Sequence, residues 1–170
     1  MGGSAERNFI LQQGVQAPPP RECARLASAL LFQARIIGGI ALLGVATQAR
    51  VLFAALALVL AWSALLPRLN PFDFAYNHTL GRRPGAPKLG PAPPPRRFAQ
   101  GMAATFAIAV VASLSADLRV TAWVLEGFFL LAIAALVLGR FCLGSFVYHL
   151  IRGRRAFAVN TLPWGRGGGA

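Results

Sequence analysis

Val51–Leu66 contains no charged residue, and Val120–Gly139 contains one, Glu126. Runs of this kind leave a chain few options, because a soluble helix needs a polar face and these have none. Composition agrees: 56% of the 170 residues are hydrophobic and 13% are charged, roughly half the charged fraction of an ordinary soluble domain. The net charge is +12, from 17 Lys and Arg against 5 Asp and Glu. A basic balance can signal nucleic acid, but here the charge sits in short gaps between apolar runs. That pattern belongs to membrane spans joined by basic cytoplasmic loops.

The expected fold is an all-α membrane protein with four transmembrane helices in two tandem hairpins, each followed by a short amphipathic interfacial helix. Residues 1–26 read as a flexible polar segment ending in Pro18-Pro19-Pro20, with no apolar stretch of the signal-peptide kind. The first repeat covers 27–80, with spans near 27–47 and 51–66. Gln33 and Arg35 lie near the entry of the first span, which requires Arg35 to snorkel. The second span is short, at the low edge of about 17–25 residues. Gly38, Gly39 and Gly44, and the face Ala54, Ala57, Ala61 and Ala64, favour close helix approach. Residues 81–97 read as a Pro-rich basic linker, extended because proline fixes φ and removes donors. The second repeat covers 98–151, with spans near 98–115 and 120–139. Residues 152–170 form a basic, Gly-rich tail.

The two halves echo each other. Arg68–Tyr76 (RLNPFDFAY) aligns with Arg140–Tyr148 (RFCLGSFVY), pairing Arg68 with Arg140, Asn70 with Cys142, Phe74 with Phe146 and Tyr76 with Tyr148. Each copy ends a pair of apolar runs that opens on Phe and Gln: Phe32-Gln33 first, Phe98 and Gln100 second. An even number of spans per repeat gives both repeats one orientation. Of the Lys and Arg residues, only Arg50 and Arg119 fall in the two opposite gaps. The positive-inside rule then places both termini in the cytoplasm, and a bacterial inner membrane is the expected location.

The RFAQG stretch Arg97–Gly101, the FCLGS stretch Phe141–Ser145 and the Phe-Gln span start resemble a bacterial membrane family, domain of unknown function forty-three ninety-five. The resemblance spans roughly Leu31 to Ile151. Members read CPF after the second span and FCLGC after the fourth; here Asn70 replaces the first cysteine and Ser145 the last. The resemblance implies architecture, and through its cysteines a link to thioredoxin-like or sulfur-transfer partners, of which only Cys142 remains here.

Cys142, in C-L-G-S beside Arg140, is a candidate redox thiol; basic surroundings and helix ends lower thiol pKa values. Without a resolving thiol it also reads as a small apolar residue at a helix end. Cys23 reads as incidental. Glu126 is a candidate intramembrane acid, with Arg50 and Arg119 as partners, or an interfacial one. Arg68, Tyr76, Arg140, Tyr148 and Arg152 are expected at the lipid headgroups. Trp62 and Trp123 suit interface anchors. His78 and His149 have no specific metal spacing, and Asn77-His78-Thr79 matches a glycosylation sequon only formally. No catalytic residue, metal or cofactor is assigned.

The function expected from these residues is non-enzymatic: a scaffold or accessory subunit of a membrane complex, in contact with anionic lipid and with a membrane-protein partner or a second copy. One alternative is a redox or sulfur-handling protein presenting Cys142 to a cytoplasmic thiol partner. The other is a small transporter, for which the spans offer few polar residues.

Overall fold

The computed structural model describes residues 2–165. Arg166 and the rest of the Gly-rich tail lie outside the described residues. Among the described residues eight α-helices follow one another: α1 (Gly2–Gln12), α2 (Pro20–Thr47), α3 (Arg50–Leu65), α4 (Pro71–His78), α5 (Pro94–Ser115), α6 (Arg119–Val137), α7 (Leu143–Ile151) and α8 (Arg155–Asn160). No strand occurs among the described residues.

Three helices, α2, α5 and α6, are long and apolar enough to cross a membrane. The fourth apolar helix, α3, has 16 residues, about 24 Å at 1.5 Å per residue, against a hydrocarbon core of about 30 Å. The helices α2 and α3 form one hairpin and α5 and α6 another. Across the bundle, α3 packs on α5 and α2 on α6.

Proline explains where two helices begin. Pro20 opens α2 and Pro94-Pro95 opens α5. At the first turn the missing N–H is not needed and φ is already helical. Arg96 and Arg97, expected in an extended linker, therefore belong to the first turn of α5. The linker proper still has a fixed course. Asn77 acts on it as a surrogate strand: its Nδ2 donates to the Leu89 carbonyl at 2.8 Å, and its Oδ1 accepts from the Leu89 amide at 2.9 Å.

Residues 2–12 are not a loose segment. They form α1, which packs on α2 with Phe9 and Ile10 fully buried. Asn8 and Gln12 are buried beside them. The polar composition hid a helix whose inner face is part apolar and part amide.

The mid-bundle layer is apolar: Ile37 and Ala41 of α2, Phe53 and Leu60 of α3, Ala107 of α5 and Phe129 of α6. Between lipid-facing helices, packing rather than water release drives association. The small residues serve it. A Cβ on Gly38 would lie 3.0 Å from Ile133 of α6, and one on Gly44 2.9 Å from the Phe53 ring. Gly39 faces open space instead.

Candidate functional site

At one end of the apolar layer lies a buried polar cluster. Arg96 grips Asp73 with two hydrogen bonds, Nη2 to Oδ1 at 2.7 Å and Nη1 to Oδ2 at 3.2 Å. The same Nη2 donates to Gln33 Oε1 at 3.1 Å, and Gln100 Nε2 donates to that oxygen at 2.9 Å. Four buried side chains thus join α2, α4 and α5. Two charges removed from water together require this bidentate geometry; either one alone would be strongly unfavourable.

A second clasp holds α1 to α7. Gln12 Oε1 accepts from the Cys142 amide at 2.9 Å, and the Gln12 carbonyl lies 3.1 Å from His149 Nε2. A carbonyl only accepts, so His149 carries its proton on Nε2. Its Nδ1 is buried without a partner. Burial holds the His149 pKa below its ordinary value; Arg154 acts the same way, while the Gln12 hydrogen bond opposes both. At neutral pH the ring is uncharged.

The two motifs that carry the resemblance pack on each other. Gly144 of FCLGS lies against Ala99 of RFAQG so closely that a Cβ on it would come within 2.6 Å of the Ala99 Cα. Ser145 Oγ donates to the Pro95 carbonyl at 3.3 Å. Phe98 and Tyr148 pack with ring centroids 5.8 Å apart, and their counterparts Phe32 and Tyr76 at 5.5 Å. Asn70 and Cys142 both stand at the N-cap of the following helix, α4 and α7. Asn70 Oδ1 accepts from the Phe72 amide at 3.0 Å, as a capping side chain does.

Cys142 is 5% exposed and stands on the wall of two spaces. One is a recess of about 100 Å³, where Gln13, Gln33, Arg96 and Gln100 meet Phe9 and Leu60. The other is an apolar groove of about 160 Å³ between α5, α6 and α7, lined by Met102, Phe106 and Phe128 among others. Gln13 Nε2 and Gln100 Oε1 are buried without hydrogen-bond partners. The recess has room for water, which suits such groups.

At the far end of the bundle, Glu126 is 1% exposed. Its partner is neither Arg50 nor Arg119. Gln48 Nε2 donates to Glu126 Oε2 at 3.0 Å and also to the Val45 carbonyl at 2.9 Å. Gln48 has left-handed backbone geometry, φ +50°, at the end of α2. That turn is where the chain reverses into α3.

The expected headgroup residues are dispersed. Arg68 and Arg152 are exposed, Tyr148 is half-buried, and Tyr76 is buried against Phe32. Burial raises the Tyr76 pKa. Arg140 bridges to Glu6 of α1 at 3.4 Å. Trp62 is 48% exposed and donates from Nε1 to the Leu69 carbonyl at 3.0 Å, and Trp123 is 55% exposed. His78 stacks on Phe74, and Cys23 is buried under α1. Among the described residues, no three His, Cys, Asp or Glu side chains lie together as a metal set.

Asp73, Arg96 and Gln12 are the residues the sequence reading missed. Asp73 stood in the aligned pair of end pieces, where an acid beside apolar Phe72 and Phe74 was the available signal. Nothing local marks Arg96 as its partner.

Among the described residues, an all-helical architecture with three membrane-length apolar helices and a buried charge pair at one end of the bundle defines a membrane-type helical protein. Residues 27–153 match the model of the family described as "Domain of unknown function (DUF4395)", and the chain belongs to that family. No curated protein and no solved structure matches it.

Proposed function

We infer that the chain is a four-span protein of the bacterial cytoplasmic membrane, built from two tandem hairpins, with both termini in the cytoplasm. It acts there as a non-enzymatic scaffold or accessory subunit. The observation that carries this reading is how the buried polar groups are used. Asp73, Arg96, Gln33 and Gln100 tie together α2, α4 and α5, Gln12 ties α1 to α7, and Gln48 ties the first hairpin to α6. Between the polar ends stands a closed apolar layer, which argues against a transport path.

The outer surfaces support a lipid or protein environment. Val51, Leu58, Trp62 and Leu65 of α3 and Val120, Trp123, Phe128 and Leu131 of α6 are exposed. Support for the duplication comes from the paired N-caps, Asn70 and Cys142, and from the matched ring pairs. The orientation rests on the distribution of Lys and Arg. The test is affinity purification in mild detergent with mass spectrometry. A stoichiometric membrane-protein partner is the expected result; a lone chain carrying a small molecule or metal would overturn the scaffold reading.

One observation favours a second reading: Cys142 lines both a recess that holds Gln13, Gln33, Arg96 and Gln100 and an apolar groove between α5, α6 and α7. In that reading Cys142 is a working thiol. It would gain support if Cys142→Ser left the protein folded but abolished the activity of a copurifying thiol protein.

A further inference from the structure

We propose that α2 carries a binding site for one anionic phospholipid, its phosphate held by Arg25, Arg35 and Arg83 and an acyl chain laid along the groove between α2 and α6. The site rests on the membrane reading above. Its head is a cleft of about 380 Å³ between α2 and the linker, with Arg25, Ser28 and Arg35 on one wall, Arg83 on the other, and Tyr76 and Phe32 at its base.

Arg35 fixes the depth. It lies well inside α2, yet its Nη1 donates to Ser28 Oγ at 3.2 Å, seven residues back along the helix. Seven residues are about 10 Å of helix, so the side chain turns back out of the apolar stretch as a snorkelling arginine does. Arg25 meets the facing wall, donating from Nη1 to the Gly85 carbonyl at 3.5 Å. The cleft has three guanidinium side chains and no acid among its lining residues. Asp73, Glu6 and Glu126 are engaged elsewhere, by Arg96, Arg140 and Gln48. Glu22 lies one turn before Arg25 but makes no ion pair with it, so three cations with no acid in the lining of the cleft favour a phosphate-bearing headgroup.

The second observation is the continuation of the cleft. Arg35 also lines an apolar groove of about 460 Å³ that runs on between Gly38, Gly39 and Leu42 of α2 and Ile133 and Val137 of α6. One residue thus joins a basic head site to an apolar trough. A free phosphate would use only the first; a phospholipid uses both.

The test is native mass spectrometry of the full chain in detergent, with phosphatidylglycerol or with phosphatidylcholine of the same acyl chains. One retained phosphatidylglycerol per chain is expected, and little phosphatidylcholine. The triple variant Arg25→Gln, Arg35→Gln, Arg83→Gln should bind phosphatidylglycerol about 100-fold more weakly, each guanidinium being worth roughly a factor of five. Gly39→Leu should weaken it independently, because a Cβ there meets nothing within 4 Å and the longer side chain fills the trough without disturbing the protein. Unchanged retention in the triple variant would overturn the proposal. Binding of inorganic phosphate together with unchanged lipid retention in Gly39→Leu would overturn the lipid assignment. Carbonate extraction of cell membranes keeps the two readings apart. A chain released by carbonate fails the membrane reading, whereas a chain that stays but lacks lipid preference fails the site alone.

Discussion

The two end pieces, α4 and α7, start from aligned sequences and reach different chemistry. Asn70 and Cys142 hold the same N-cap position, but Asn70 caps with its side chain, whereas the Cys142 amide is itself bound by Gln12. Three residues on, Asp73 and Ser145 occupy equivalent places and both reach the start of α5. Asp73 takes the Arg96 guanidinium, and Ser145 takes the neighbouring Pro95 carbonyl. One end piece is therefore fastened by a buried charge pair and the other by a neutral hydrogen bond and close packing. The lesson is that two end pieces aligned in sequence can share an N-cap position and still be fastened by unequal forces. The Asp73 end should be brittle to loss of its polar side chain, and the Ser145 end tolerant of such a loss.

The largest expected effect follows from the charge pair. Asp73→Ala leaves Arg96 buried without its counter-ion and should cost about 3–5 kcal/mol. Replacing both, Asp73→Leu with Arg96→Met, should recover most of that loss. Thermal unfolding in detergent reads both variants. A single substitution as mild as the double would remove the charge pair from the account.

Packing comes next, and it separates the two family motifs internally. Gly144→Ala drives a Cβ into the Ala99 backbone and should destabilise by about 1–3 kcal/mol. Gly101→Ala meets open space and should be neutral or stabilising by up to ~1 kcal/mol, as helix propensity dictates. Equal effects in the same unfolding assay would mean that α7 does not approach α5 as described.

A smaller effect concerns pH. The folded-state pKa of His149 lies below the unfolded value of 6.5, so below that value the unfolded chain binds the extra proton first. The stability linked to the neutral ring is complete above pH 6.5 and is lost as pH falls through the lower folded-state pKa. Unfolding temperature should drop in that window for the natural chain and drop less for His149→Gln. Identical profiles for the two would exclude His149 as the group responsible.

The smallest effects belong to the tolerant end. Cys142→Ser and Ser145→Ala should each change stability by no more than about 1 kcal/mol. The anchoring of α7 resides in the Cys142 amide and in the Gly144 contact, neither of which needs those side chains.

Much of this contrast was legible from the sequence, and the rest was lost for definite reasons. The apolar runs, the short α3 and the equivalence of Asn70 with Cys142 follow from periodicity and local patterning. The Asp73–Arg96 pair does not, because its members lie 23 residues apart and Arg96 sits in a proline-rich stretch that reads as linker. Pro94-Pro95 in fact starts a helix, since a first turn tolerates proline. Gln12 was hidden in a segment too polar to suggest a buried face. The glutamines at the span starts were noticed as a repeat, but their meeting on one oxygen needs the fold.

The central claim is that α3 crosses the membrane despite its 16 residues, which places both end pieces on the cytoplasmic side. It is tested most directly by labelling single cysteines in intact cells with a membrane-impermeant maleimide, on a background with Cys23 and Cys142 replaced by serine. Ala49→Cys, in the α2–α3 turn, and Ala116→Cys, in the α5–α6 turn, should react. Gly90→Cys, where a Cβ meets nothing within 4 Å, should react only after the cells are opened. Reaction at position 90 in intact cells together with protection at 49 would invert the orientation, and reaction at both 49 and 90 would mean that α3 does not cross.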